Sequence, residues 1–343
     1  MKIFIAVTEK AKTGGGESMH QLASMLNDMG REAYIYYFDN AKRTEPVKEL
    51  RHYNIRVANR IEDAPENTLI VPELYTRVMR PYHHIKKMIW WLSLEYYFQS
   101  LPADTAKRIL KKRKLPAIFY PAVLLLTPFK TQASWQNYRP GELADVDFHF
   151  YNCEYERAYL EKLGVPAEHM LYLCGPVDDI FLEAEPAEKE DIVLFNPSKA
   201  DAFTYRVIER IREKDGSVQV IPLKGMNKYE LRDLYCRSKL YMDFGLFPGP
   251  ERMPREAVCC CCNIITSKTG SAGNSVDVPI PEKYKLDAVE KNVDTAAERI
   301  LAMLRNYERE RGDFDGYREK AREQKRLLHD NVEKMFGIPQ RET

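Results

Sequence analysis

Apolar, β-branched runs alternate with amphipathic stretches along most of the chain. Lys2–Thr8 (KIFIAVT), Glu32–Phe38, Thr68–Pro72, Lys87–Leu94 (KMIWWLSL), Asp147–Asn152 and Met170–Leu173 read as strands. Ser18–Met29 places Met19, Leu22, Met25, Leu26 and Met29 at helical spacing and stops at Gly30, and helices are also expected near Ala41–Leu50, Thr76–His84 and Glu154–Leu163. Gly175 and Pro176 break this rhythm, and the charged stretch Glu183–Glu190 (EAEPAEKE) reads as a linker. A second series follows. Asp191–Phe195, Ser217–Leu223, Leu240–Phe244 and Asn263–Thr266 are expected strands, with helices at Ala202–Lys214, Lys228–Cys236 and Pro254–Cys262. Leu286–Arg311 and Phe314–Phe336 read as two long charged helices with sparse apolar stripes. Regular strand and helix alternation predicts the α/β class, with two Rossmann-like parallel-sheet domains.

A chain of 343 residues exceeds what one core usually supports, which agrees with two domains. Lysine and arginine number 52 against 51 aspartates and glutamates, so no global basic field favours nucleic acid as a partner. The apolar run at the amino terminus is too short for a signal peptide and nothing reaches the length of a membrane span, so a cytoplasmic protein is expected. Four consecutive cysteines, Cys259–Cys262, splay about 100° apart per residue on a helix and cannot ligate one tetrahedral metal. They are expected to be small buried packing groups, and no metal site is predicted.

One segment stays open to two readings. Lys107–Lys114 (KRILKKRK) is strongly basic and leads into Ala117–Phe129 (AIFYPAVLLLTPF), apolar but broken by Pro121 and Pro128. Residues 107–129 could lie on an anionic membrane at its inner face, or form a solvated helix face followed by a buried strand.

The candidate chemistry gathers where strands end. In parallel α/β sheets the loops leaving the carboxyl ends of strands line the ligand crevice, and helices starting there favour anions. Lys199 and Lys224 each leave a strand on that edge, as does the loop carrying Glu251, Arg252, Arg255 and Glu256 after Leu240–Phe244. Converging cations of this kind suit a diphosphate. The next loop, Ser267–Asn274 (SKTGSAGN), adds Ser267, Lys268, Gly270 and Ser271, and the two loops are expected to sit side by side. In the first domain, Gly14, Gly15 and Gly16 let the backbone approach a ligand, Glu95 is a candidate catalytic or acceptor-orienting carboxylate, and Tyr96 and Tyr97 offer aromatic faces. Asp145-Val146-Asp147 and Asp313-Phe314-Asp315 have the D-x-D form that can hold a divalent ion.

The order strand, P-G-x-x-R-x-P-R-E-A, small-residue helix, apolar strand, S-x-x-G-S resembles the donor-sugar site of GT-B glycosyltransferases of the family-4 type. Glu256 with Ala257 matches the second Glu of the E-x7-E pattern of that family, whereas the position eight residues earlier is Pro248, so the first Glu is absent or replaced by Glu251. The Gly14–Gly16 stretch is similar to the glycine-rich loop of those enzymes. The resemblance implies two domains facing a cleft: 1–180 binding the acceptor, 181–312 binding a nucleotide-sugar donor, and a helix in 313–343 crossing back to the first. It further implies transfer of sugar to a glycan or lipid-linked acceptor, in polysaccharide assembly, with retention of configuration and no metal or cofactor besides the donor substrate. Lys199, Lys224 and Arg252 would neutralise the diphosphate, and Glu256 would accept hydrogen bonds from ribose or sugar hydroxyls. A non-catalytic nucleotide- or sugar-binding scaffold is the alternative.

Overall fold

A computed structural model describes residues 1–9, 14–185 and 187–337. The chain divides into two compact units. The first comprises 1–152, 156–173 and the chain from Leu328 onward; the second comprises 153–155 and 174–327.

In the first unit, seven strands make one parallel sheet in the order β3-β2-β1-β4-β5-β6-β7. They are β1 (Lys2–Val7), β2 (Glu32–Tyr37), β3 (Arg56–Ala58), β4 (Thr68–Pro72), β5 (Lys86–Trp91), β6 (Phe148–Tyr151) and β7 (Met170–Tyr172). The helices are α1 (Gly14–Asp28), α2 (Leu94–Ser100), α3 (Pro102–Arg113), α4 (Tyr120–Lys130) and α5 (Glu154–Lys162). β1 and β4 are buried along nearly their whole length, as strands covered on both faces must be. Met19, Leu22, Ala23 and Leu26 of α1 pack on Ile3, Ile5, Ile35 and Ile70, and Leu328, Val332 and Phe336 belong to the same core.

The second unit holds a five-stranded parallel sheet in the order β12-β11-β10-β8-β9. Its elements in chain order are α6 (Asp179–Leu182), β8 (Glu190–Phe195), α7 (Ala202–Lys214), β9 (Gln219–Pro222), α8 (Lys228–Arg237), β10 (Ser238–Asp243), α9 (Arg252–Cys259), β11 (Asn263–Ser267), β12 (Lys285–Leu286), α10 (Val293–Arg305), α11 (Tyr307–Glu310) and the first part of α12 (Asp315–Phe336), whose residues from Leu328 belong to the first unit. The chain thus has two parallel-sheet α/β units, as its alternation of strand and helix predicts.

Several local expectations fail for identifiable reasons. The helix expected near Ala41–Leu50 is only a 3-10 turn at Lys48–Leu50, entered from Pro46 and Val47, and the one expected at Thr76–His84 is a kinked 3-10 segment, Glu73–Met79. Gly14–Gly16 do not form a loop but open α1, where Gly15 faces Leu92 so closely that a Cβ would lie 3.1 Å from Cδ1. Residues 10–13, the rest of that expected loop, lie outside the described residues. Ala117–Phe129 is no buried strand but α4 with a preceding 3-10 turn. The expected long helix Leu286–Arg311 separates into β12, α10 and α11.

Candidate functional site

Sheet topology singles out one edge of the second unit. β8 lies between β9 and β10, so the chain goes from β8 to one side and then crosses to the other. Loops leaving the carboxyl ends of such a strand pair diverge, and the crevice between them is where parallel α/β sheets bind ligands. Here the two loops are the one following Phe195 and the one following Asp243.

Lys199 comes from the first loop. Asn196-Pro197-Ser198 makes a tight turn in which Asn196 Oδ1 accepts from Ser198 N at 3.0 Å and the Asn196 carbonyl accepts from Lys199 N at 3.2 Å. The side chain then crosses to the second loop. Its Nζ lies 3.0 Å from Asp243 Oδ2 and 3.2 Å from Glu251 Oε2, and 4.4 Å from the Phe247 ring centroid. Asp243 is buried and fully engaged: Oδ1 accepts from Gly245 N at 3.0 Å and Oδ2 from the Tyr241 hydroxyl at 3.2 Å. Burial pushes the Glu251 carboxyl above its usual range, and the Lys199 charge opposes that rise. Gly245 is tightly enclosed: a Cβ there would lie 3.1 Å from side-chain atoms of Lys199 and Asp243, which would have to shift by a few tenths of an ångström. Sequence reading singled out Lys199 and Glu251 but not Asp243, the residue that holds the lysine.

The loop after β10 is stitched to the loop after β11, as the sequence suggested. Ser267 Oγ donates to the Gly245 carbonyl at 2.8 Å and Thr269 Oγ1 donates to the same oxygen at 3.0 Å. Ser271 Oγ donates to the Gly249 carbonyl at 2.7 Å, and its N–H to the Phe247 carbonyl at 3.0 Å. Gly270 has φ +56°, and a Cβ at this position would fall 1.9 Å from the Phe247 carbonyl oxygen. Only glycine fits such an approach. Ser267 and Ser271 are therefore the fasteners of the pocket wall, with their hydroxyl protons already committed. Lys268 turns to the exposed Glu282, 3.2 Å away.

α9 starts between these loops. Arg252 is its first residue, two positions before the expected start at Pro254; the N-cap position is Glu251, whose carboxylate reaches Lys199 instead of the helix N–H groups. Glu256, 8% exposed, lies 4.0 Å from Arg252 Nε one turn earlier. Arg255 points inward. Its guanidinium donates to the carbonyls of Glu251 at 3.1 Å, Pro250 at 3.0 Å and Gly175 at 2.9 Å, and to Gln324 Oε1 at 2.5 Å. It is a structural clamp tying the loop, the segment before α6 and α12 together, which corrects the expectation that it faces a ligand.

α9 ends earlier than expected, at Cys259. Cys262 N donates to the Ala257 carbonyl at 2.9 Å and Cys261 N to Val258 at 3.1 Å, with Cys261 left-handed at φ 62°. That is the six-to-one and five-to-two pattern of a Schellman cap, here with cysteine where glycine is usual. Cys259, Cys260 and Cys262 are buried, and all the cysteines are free thiols.

Lys224 is exposed just past β9, whose last residue pairs with Phe195 of β8. It and Lys199 therefore leave adjacent strands.

In the first unit, Ser93 caps α2 by accepting from Tyr96 N at 3.2 Å, which puts Glu95 in the first turn, half-buried, and Tyr96 on the surface. Tyr97 is no stacking platform: it is buried, 5.0 Å from Trp91, with its hydroxyl on the Tyr138 carbonyl. A carboxyl that sequence reading passed over is Glu73, wholly buried at the end of β4, where it accepts from Leu92 N at 3.0 Å; burial raises it from 4.5 to about 8. The D-x-D carboxylates serve locally. Asp147 accepts from Lys87 N at 2.7 Å, and Asp313 binds the Tyr284 hydroxyl and Lys283. Among the described residues, no three histidine, cysteine or acidic groups are placed to hold a metal.

No protein-family model matches the sequence, and no curated protein resembles it significantly. Solved structures do. Anabaena HepE in complex with UDP and glucose matches with a TM-score of 0.54 at 12% identity, over 98% of this chain and 100% of that one. A glycosyltransferase from Rickettsia africae matches at 0.55 and 12% identity, covering 98% and 99%. The N-terminal domain of Candida albicans trehalose-6-phosphate phosphatase matches at 0.57 and 10% identity, covering 97% and 95%. At these identities the likeness is one of fold, the two-sheet α/β fold of GT-B glycosyltransferase structures.

Proposed function

We propose that the chain is a glycosyltransferase that binds a nucleotide-sugar donor at the β8/β10 edge of its second unit. The sugar passes to a glycan or lipid-linked acceptor taken by the first. The observation that carries this reading is the paired-loop wall at the switch point, with Lys199, Arg252 and Glu256 on it. It is supported by a fold shared with a protein whose structure holds UDP and glucose.

In this reaction the anomeric carbon–oxygen bond to the diphosphate breaks as a bond to an acceptor hydroxyl forms, and negative charge grows on the departing phosphate. Fixed cations and oriented dipoles lower the barrier where that charge develops. Lys199 is suited to that task once the donor phosphates exchange for Asp243 and Glu251, and Lys224 and Arg252 would add their charges. Glu256, buried beside Arg252, would accept from ribose or sugar hydroxyls. Glu251 stands in for the carboxylate that Pro248 cannot supply, and Glu95 orients the acceptor. Retention of configuration, metal independence and a role in polysaccharide assembly on the inner membrane face belong to the same proposal.

A second reading, a nucleotide-sugar-binding scaffold without turnover, draws on two observations: Pro248 at the position of the first carboxylate, and Lys199 already saturated by two acids. A thermal-shift panel of nucleotide sugars, followed by an assay for nucleoside diphosphate release, separates the two. Donor-specific stabilisation of about 2.7 kcal/mol at a hundredfold excess over Kd, with release, supports the enzyme. Stabilisation without release supports the scaffold, and neither effect removes both.

A further inference from the structure

Folding leaves one apolar helix almost uncovered. α4 has the sequence YPAVLLLTPFK, and Thr127 is its one buried residue. Phe129 and Ile118 are each 82% exposed and Leu125 66%, with Leu115, Phe119 and Leu126 exposed as well. Single exposed apolar side chains are ordinary, but a contiguous group of this size on a protein surface marks an interaction site.

Its neighbour has the opposite character. α3 packs against α4 and ends in a left-handed Lys114 that turns the chain. Lys107, Arg108, Lys111, Lys112, Arg113 and Lys114 are all exposed. Asp104, 3.7 Å from Lys107, is the acidic group within α3. The buried positions of α3, Pro102, Thr105, Ala106 and Leu110, account for its attachment to the unit and leave the cations outward.

We propose that the α3–α4 hairpin docks on an anionic phospholipid surface. α4 and the Leu115–Phe119 turn enter the acyl boundary while the α3 cations and Lys130 meet the headgroups. Apolar side chains beside a dense cationic row are what an interfacial helix presents to such a surface. Spanning is excluded for this helix: eleven residues reach about 16 Å against a hydrocarbon core of about 30 Å. A second copy of the chain is a poor occupant, because a two-fold contact would set the same cations against each other. Protein interfaces also deplete lysine at their cores. Docking at this hairpin does not depend on the glycosyl-transfer reading.

The test is flotation of the full-length protein with vesicles of phosphatidylcholine alone and of phosphatidylcholine containing phosphatidylglycerol. Flotation is expected with the anionic vesicles only, and is lost near 1 M salt, where screening shortens to about 3 Å. Lys111→Glu/Lys112→Glu/Arg113→Glu should weaken partitioning at least about 100-fold, at roughly fivefold per cation. Ile118→Ser/Leu125→Ser/Phe129→Ser should abolish flotation at low salt although every cation remains. All six positions are exposed, so unchanged melting temperatures will show that both variants fold. No flotation with anionic vesicles, or undiminished flotation of the serine variant, overturns the proposal. A dimer in sedimentation that the serine variant dissolves also overturns it, in favour of a second copy.

Discussion

Lys199 Nζ lies 3.0 Å from Asp243 Oδ2, joining the loops on either side of the sheet's switch point through a cation and a buried carboxylate. The pair holds the lysine at the expected diphosphate position before any ligand arrives. It also sets a competition, since donor phosphates must draw the ammonium from two acids.

Removing the lysine alone leaves Asp243 buried beside Glu251 without its counter-charge, which typically costs about 3–5 kcal/mol. Lys199→Met should therefore lower stability by about that amount and weaken donor binding. Lys199→Met with Asp243→Asn should recover most of the stability but not the donor affinity. Chemical denaturation and donor titration of the two variants check this; recovery of both would make the pair purely structural.

Arg255 is expected to matter for folding and not for donor specificity. Arg255→Met strands the Pro250, Glu251 and Gly175 carbonyls and Gln324 that the guanidinium now satisfies. A loss of about 3 kcal/mol or more is expected from unpaired buried acceptors. A loss in melting temperature that is the same with and without bound donor would confirm the structural role.

Two left-handed glycines should behave differently. Gly270→Ala places a methyl 1.9 Å from the Phe247 carbonyl oxygen and must push the two loops apart, whereas Gly225, at φ +71°, has open space around it. Gly225→Ala should cost about 1 kcal/mol, and Gly270→Ala over 3 kcal/mol. Equal penalties in urea melts would contradict the close approach of the loops.

Cys261 occupies the left-handed cap position of α9. Glycine relieves the strain of that conformation, so Cys261→Gly should raise stability by about 1 kcal/mol. Thermal unfolding under reducing conditions reads it directly.

Glu73 gives the fold a pH dependence. Its folded value, about 8, lies above the ordinary 4.5. Its stabilising effect is therefore complete below 4.5 and fades as pH rises through about 8, by up to roughly 5 kcal/mol. Glu73→Gln should flatten stability between pH 6 and 9 without lowering it at pH 5; a parallel decline in both proteins would exclude Glu73 as the source.

Much of this was legible in the chain. Apolar runs such as KIFIAV and DIVLF read as buried strands, and the turn chemistry of GLFPGP and SKTGSAGN marks a loop after each of two strands. Which polar side chains face the ligand was not legible, because that depends on contacts distant in sequence. Arg255 and Arg252 are three residues apart, yet α12 and the Gly175 carbonyl capture the first and leave the second near Glu256. Asp243 lies inside the apolar run Leu240–Phe244, and only the fold brings Lys199, 44 positions away, to it. The surroundings of α4 stayed open between a membrane-facing surface and a buried strand because apolar composition fits both, and the packed structure decides it, with Leu125 66% and Phe129 82% exposed.

The most direct test of donor-dependent transfer is release of nucleoside diphosphate from a panel of nucleotide sugars, measured for the intact protein and for Glu256→Ala. Slow release from one donor class is expected of the parent protein, at least about 100-fold reduced in the variant although it still melts cooperatively. Equal release by both proteins, or none from any donor that binds, would contradict donor-dependent transfer.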